Sequence, residues 1–257
     1  GYGRGFRTRP LHAGFLGQDV LLVHDEAHLE PAFQRLLDAI WTEQRRPPHR
    51  LRGFEVVALS ATSRGSEDEV PFVLSEDDRS DPVIGKRLNA QKNLALHSID
   101  DEKKLAQRLA DLALEHSDSQ QAILVFARRL DDVRAVADRL RKKDVKDEAI
   151  GLLTGTLRGL ERDALVKTAV FQRFLPKSSR DEKQAPALGT VYLICTSAGE
   201  VGVNISADHL VCDLTPFDSM AQRFGRVNRF GEGASRVDVV HPSEFKADAH
   251  DARRQKT

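Results

Sequence analysis

The sequence is poor in the residues that build disulfide frameworks and zinc cages. Its two cysteines, Cys195 and Cys212, lie in separate apolar segments with no C-x-x-C spacing, and read as buried, reduced thiols of a cytoplasmic protein. It has one methionine, Met220, one tryptophan and two tyrosines, and it begins Gly1-Tyr2-Gly3 without an initiator. That start is read as a piece of a longer protein. No apolar run reaches membrane-spanning length and no signal peptide opens the chain, so no membrane partner is expected. Charge of one sign is also missing, because 39 Lys and Arg balance 39 Asp and Glu. Any nucleic-acid groove must then come from a local arrangement of basic residues.

What is present fits a folded α/β chain. With 257 residues, 40% apolar and 30% charged, there is enough material for one large domain or two modest ones. Val20–Val23 is a short apolar run of the kind a doubly covered parallel strand shows, and Phe54–Leu59 is a second. Between them Phe33, Leu36, Leu37, Ile40 and Trp41 recur at helical spacing from about Leu29 to Arg46, and Pro47-Pro48 ends that helix. Residues 63–91 are acidic and weakly periodic, and read as a solvated loop and connection.

The second part alternates more clearly. Strands are expected at Leu94–Ile99, Ala122–Phe126, Ile150–Thr154, Val191–Cys195, Leu210–Asp213 and Arg236–Val240. Helices are expected at about Asp101–His116, Asp131–Lys143, Leu160–Phe174 and Ser219–Phe224. Pro176–Leu188 reads as a mobile polar insertion. Such alternation predicts a mainly parallel sheet covered on both faces.

The segment His24-Asp-Glu-Ala-His28 poses the chemical question. Two histidines four apart suggest zinc, but a zincin helix needs Glu directly after the first His, and here that position is Asp25. His24 moreover closes an apolar strand, and helical periodicity starts only after His28. The alternative is an ATPase strand end, where Asp25 holds Mg²⁺ and Glu26 handles the attacking water. A lone Asp-Glu after a strand is common by chance, so the other motifs must arbitrate.

They do so in order. Asp25-Glu-Ala-His28 is followed by Ser60-Ala-Thr62, then Thr196-Ser-Ala-Gly-Glu-Val-Gly-Val-Asn-Ile205, then Gln222-Arg-Phe-Gly-Arg-Val-Asn-Arg229. This series resembles motifs II, III, V and VI of superfamily-2 helicases, over about Leu11 to His241. The Gly225-Arg-Val-Asn-Arg-Phe-Gly231 ending is similar to that of the CRISPR-associated helicase of type I systems. Residues 11–19 and 206–216 look closest to its type I-U (I-G) form. A DEAH-type RNA helicase and a non-enzymatic, nucleic-acid-binding helicase-like lobe are the alternatives.

The resemblance implies RecA-like P-loop NTPase lobes: the end of a first lobe over 1–92, a complete second lobe over 93–245, and a charged tail over 246–257. It implies ATP and Mg²⁺ as cofactors, with Asp25 on the metal and Glu26 on the water. His28, Ser60 and Thr62 would link hydrolysis to movement, and Gln222, Arg226 and Arg229 would reach the γ-phosphate. Arg226 and Arg229, three apart, would share a helical face. Gly202 would allow close backbone approach and Asn204 would face the nucleotide. Thr196, Ser197, Arg129 and Thr154 would contact a nucleic-acid backbone, independently of base sequence. For Arg128, Arg129, Arg158 and Arg162 a merely solvated surface is the competing reading, as it is for the Arg223, Arg226 and Arg229 cluster.

Two pieces of such an enzyme are missing from these residues. No G-x-x-x-x-G-K-S/T phosphate loop occurs; the sole Gly-Lys pair, Gly85-Lys86, lacks the first glycine and lies after Asp25. The chain alone is therefore expected to hydrolyse ATP poorly or not at all. The HD nuclease that accompanies type I helicases is expected outside this chain, and His250-Asp251 reads as tail. Single-stranded DNA and a CRISPR surveillance complex are the implied partners.

Overall fold

The computed structural model describes residues 5–6, 8–46, 53–60, 73–180, 186–245 and 254–256. The chain divides into two compact units, Gly1–Phe72 and Val73–Thr257. The division falls within the acidic stretch of residues 63–91.

In the first unit, α1 (Arg9–Gly17) precedes β1 (Val20–His24), α2 (Pro31–Gln44) and β2 (Phe54–Ala58). The strands pair in parallel, Val20 beside Phe54 through His24 beside Ala58. Helix α2 begins with Pro31 at its first turn, where a missing N–H costs nothing. It buries Leu37 as β2 buries Phe54. Trp41 Nε1 donates to Glu55 Oε2 at 3.2 Å, which ties the helix to the second strand. Within this unit the strands are not covered on both faces: Leu21 is 65% exposed and Val23 55%.

The second unit opens with α3 (Glu76–Ser80) and α4 (Pro82–Leu88), where a loop was expected. Capping explains the difference. Ser75 and Asp78 form a reciprocal box at the start of α3. Asp81 then caps α4 by accepting from the Val83 and Ile84 amides, with Pro82 in the first turn. Weak apolar periodicity hid two helices held mainly by their ends.

Then come β3 (Gln91–Ile99), α5 (Leu105–Leu114), β4 (Ala122–Phe126), α6 (Leu130–Arg141), β5 (Ile150–Leu153), α7 (Gly159–Val166), α8 (Ala169–Phe174), β6 (Val191–Cys195), β7 (His209–Asp213), α9 (Phe217–Phe224) and β8 (Ala234–Pro242). The six strands form one sheet in the order β3-β8-β7-β4-β6-β5, and every pairing is parallel. The expected helix over 160–174 is two helices, because Thr168 leaves the helical conformation and caps α8 through the Phe171 amide.

Alternation along the central strands builds two cores. Ile123, Val125, Tyr192, Ile194 and Val211 face α5 and α6, packing on Leu109, Val133 and Leu140. Ala122, Leu124, Phe126, Leu193 and Cys195 face the other way, onto Phe171, Phe174 and Met220. Both cysteines are buried and unpaired, and burial pushes the Cys212 thiol up to about 12. The expected charged tail is part of this unit at one point: Arg254 is buried and its Nε donates to the Leu214 carbonyl at 3.0 Å. His250 and Asp251 lie outside the described residues. No helix among the described residues is long and apolar enough to cross a membrane.

Candidate active site

A parallel sheet delivers the carboxyl ends of its strands to one edge, where α/β proteins bind ligands. In the first unit that edge carries the acidic motif. Asp25 and Glu26 follow β1 directly, and Glu26 adopts a left-handed conformation, φ 52° and ψ 42°. A glutamate rarely holds that conformation, and such outliers gather at functional sites. Asp25 is exposed and its Oδ1 accepts the Glu26 amide at 3.0 Å.

His28 sits in a 3₁₀ turn, Ala27–Leu29. Its Nδ1 shares a 2.9 Å hydrogen bond with Ser60 Oγ, just past β2, and lies 3.5 Å from Glu26 Oε2. Its Nε2 is buried and has no hydrogen-bond partner among the described residues. Three of the four predicted residues around Glu26 therefore meet at one strand edge. The remaining one, Thr62, lies outside the described residues. His24 has a separate job: its Nδ1–H donates to Gln34 Oε1 at 2.7 Å, and its ring meets Phe33 edge-on. The two histidine rings thus have different partners, and no group of three or more metal-binding side chains occurs among the described residues.

In the second unit β5, β6, β4 and β7 are neighbours, and each ends in a motif residue or its anchor. After β5, Thr154 is buried with its Oγ1 3.0 Å from Thr156 Oγ1. After β6, Thr196 Oγ1 accepts from the Ala198 amide at 3.5 Å and the Gly155 amide at 3.3 Å, joining two strand ends. Ser197 is exposed in the 3₁₀ turn that follows. After β4, exposed Arg129 precedes α6 at its N-cap. Asp132, in the first turn of α6, is half-buried; burial raises its pKa, and Arg129 and Arg128 oppose the shift. The sequence reading passed over Asp132, and only its place four residues past Arg128 pointed to it.

Gly202 has φ +72°, but a Cβ placed there would meet nothing within 4 Å. That φ lies in the region L side chains rarely adopt, so the turn itself favours glycine. Close approach belongs to Gly199, where a Cβ would lie 2.9 Å from Cys195 Sγ and 3.0 Å from a Phe126 ring carbon.

The arginine cluster also departs from expectation. Helix α9 ends at Phe224, so Arg226 and Arg229 follow it and share no helical face. Nor is the cluster a solvated surface: Arg223 is 1% exposed and Arg226 8%. Arg223 Nε donates to Glu200 Oε1 at 2.7 Å, and its Nη1 donates to Asp213 Oδ1 at 2.8 Å. These two carboxylates raise its pKa against the desolvation that would lower it. Arg226 donates from Nε and Nη2 to the Glu200 carbonyl at 3.1 and 2.7 Å. Gln222 is buried one turn before it.

Only Arg229 is exposed, and its Nη1 donates to Asn204 Oδ1 at 3.0 Å. Asn204, expected at the nucleotide, thus orients an arginine through a neutral amide. Asn228, φ 44°, makes the turn between the two arginines and ties it down through Nδ2 to the Gln91 and Gly233 carbonyls. Glu200, Asp213 and Asn228 were missed because each lies within or beside a motif without supplying its signature chemistry. Gly85 and Lys86 fall within α4.

Residues 119–232 match the family model of the CRISPR-associated nuclease/helicase Cas3, C-terminal (Cas3-like). Among solved structures, T. fusca Cas3 with AMPPNP matches at TM-score 0.63 and 16% identity, over 92% of this chain and 31% of that one. S. cerevisiae Dbp5 bound to RNA and ADP BeF3 matches at TM-score 0.54 and 17% identity, over 93% of this chain and 56% of that one. The chain therefore spans about a third of the Cas3 chain and about half of Dbp5. A search of curated proteins finds no match. The fold is that of RecA-like helicase lobes, and residues 119–232 are similar to the C-terminal domain of Cas3-like CRISPR-associated helicases.

Proposed function

We propose that this chain is the motor part of an ATP-dependent DNA helicase that unwinds target DNA in type I CRISPR interference. The observation that supports it most is the shared carboxyl edge of four adjacent parallel strands, which gathers Thr154, Thr196, Arg129 and the Arg223–Arg229 segment.

The residues present fit ATP and Mg²⁺ in part. Asp25 offers an exposed carboxylate with Oδ1 already bonded to an amide, which suits a metal that takes one or two carboxylates and otherwise water and phosphate. When bound, Mg²⁺ screens the phosphate charge. Glu26, held in its left-handed turn, orients the attacking water and accepts its proton. Arg229 has a neutral amide as partner, which leaves its charge available for a phosphate. Arg226 is the second phosphate arginine, with Gln222 beside it. His28 and Ser60 carry the coupling to movement through their shared hydrogen bond, with Thr62 completing that set. Gly202 shapes the loop on the nucleotide side. Thr196, Ser197, Thr154 and Arg129 face the backbone of a single strand. The phosphate loop and the HD nuclease belong to other parts of the protein, and a surveillance complex recruits it.

The test is ATP hydrolysis, with and without single-stranded DNA, by the protein that joins this chain to its phosphate loop. Glu26→Gln and Arg229→Ala should each lower kcat by about 10³-fold while strand affinity is kept. Undiminished hydrolysis in both variants overturns the assignment. Dbp5 binds RNA, so strand type is part of the test: unwinding of RNA but not DNA returns an RNA helicase. Strand binding without any turnover returns a binding module.

A further inference from the structure

Glu200 makes two separate connections. Its carboxylate takes Arg223 Nε at 2.7 Å, while its backbone carbonyl takes both Nε and Nη2 of Arg226. One residue thus holds two arginines by two different groups. We infer that Glu200 is a positioning residue, whose ion pair with Arg223 fixes the carbonyl that aims Arg226. This rests on the reading of Arg226 as a phosphate arginine, and it adds a residue to that site.

The surroundings make the carbonyl a fixed point. Glu200 follows the 3₁₀ turn Ser197–Gly199, and Gly199 is pressed so closely on Cys195 and Phe126 that no side chain fits. Two residues further on, Gly202 turns the chain through positive φ. Between these points the Glu200 side chain is held by the buried salt bridge to Arg223. Arg223 is anchored in turn by Asp213, through both Oδ1 and the backbone carbonyl at 2.8 Å, and lies 4.9 Å from the Phe126 ring centre. The ends of β4, β6 and β7 and helix α9 are therefore joined beneath the loop that carries Arg226's acceptor.

The geometry separates two kinds of damage. Glu200→Gln keeps the side chain's shape but removes the charge that holds Arg223, so the lateral tie of the Glu200 carbonyl weakens from a charge-assisted bond to a neutral one. Asp213→Asn also removes a charge from Arg223 but leaves Glu200 bonded to it. A general loosening affects Arg226 equally in both; positioning through Glu200 affects it in one.

The side-chain Nε–H signals of Arg223 and Arg226 in nitrogen-resolved NMR of the full chain report this directly. In Glu200→Gln the Arg226 Nε–H should exchange with solvent faster by about tenfold, and in Asp213→Asn it should stay within about threefold of the unaltered chain. An unchanged Arg226 in Glu200→Gln, or equal acceleration in both variants, overturns the inference. Should Glu200→Gln not fold, Glu200→Asp keeps the charge but withdraws it by one methylene, and the same acceleration is expected.

A kinetic cycle supplies the second readout, in the protein that includes the phosphate loop. Glu200→Gln should lower kcat with little change in KM for ATP, and should have no further effect in an Arg226→Ala background. Additive effects overturn the inference. An Arg226→Ala variant with normal kcat overturns the phosphate role of Arg226 instead, and leaves the exchange measurement to decide the positioning.

Discussion

Arg223 shows most sharply how a single residue can be structural within a motif whose other arginines are assigned to ligand. Its guanidinium, 2% exposed as a side chain, bridges two carboxylates that are almost equally buried, Glu200 and Asp213. Removing one partner from such a cluster strands the others without water. Arg223→Met should therefore cost on the order of 3–5 kcal/mol in a denaturant titration, far more than a surface arginine. Arg158→Met, on an exposed side chain, is the control and should change stability by less than about 0.5 kcal/mol. A second residue-scale prediction concerns His116 and His209, whose rings stack at 4.2 Å. Burial lowers both pKa values from 6.5. At His116 the His209 ring and Arg236 also oppose protonation, while Asp238 and Glu115 favour it; at His209 Asp208 and Asp238 favour it. A folded-state pKa below the unfolded value means that the folded form binds fewer protons. This contribution is complete above the unfolded pKa of 6.5 and is lost as pH falls below it through the depressed folded values. Urea midpoints should fall between about pH 7 and pH 5, and His116→Phe should flatten that slope. A slope unchanged by the substitution would assign the acid sensitivity to other groups.

At the scale of elements, Leu124 illustrates what periodicity conveys. It lies in the middle of β4, fully buried, between two strands and against α8 and α9. Leu124→Ala should cost about 2–5 kcal/mol, measured as a lowered denaturation midpoint, because a central strand cannot collapse around the cavity. Strands of this kind were legible: Ala122–Phe126 and Val191–Cys195 occur at the expected residues, since runs of apolar residues between turns have one good use in a doubly covered sheet. Capped elements were not. Helices α3 and α4 rest on Ser75, Asp78 and Asp81, polar residues that look like solvated surface until their side chains are seen on backbone amides. The break between α7 and α8 rests likewise on Thr168. Thr168→Ala should lower stability by about 1 kcal/mol without altering the sheet, a change visible in thermal melts but not in the strand amides' exchange. The site divides in the same way. Motif order named Asp25, Glu26, Arg226 and Arg229, because their chemistry is carried by residue type. The network of Glu200, Asp213 and Asn228 beneath them depends on which strand ends are neighbours, and chain order β4 to β7 does not disclose that β4 lies between β6 and β7.

For the whole molecule, the two units differ in how much of their own surface they cover. The second has a six-stranded sheet with helices on both faces and two cores whose central members are fully buried. The first has two strands, with Leu37 and Phe54 among its few buried large side chains, and leaves Leu21, Val23, Leu36 and Val57 exposed. A two-stranded sheet is marginal in water unless something packs on it. Apolar burial supplies about 25 cal/mol for each Å² removed from water, so surface left open in this way contributes nothing to offset chain entropy. Residues 73–257 expressed alone should therefore give a cooperative thermal transition monitored by circular dichroism. Residues 1–72 alone should give none, and should bind a hydrophobic dye. The acidic motif would then depend for its shape on whatever covers those strands, whereas the arginine network would not. A cooperative transition in residues 1–72 would reverse that order, and would mean that Asp25 and Glu26 are held by their own short β-α-β unit.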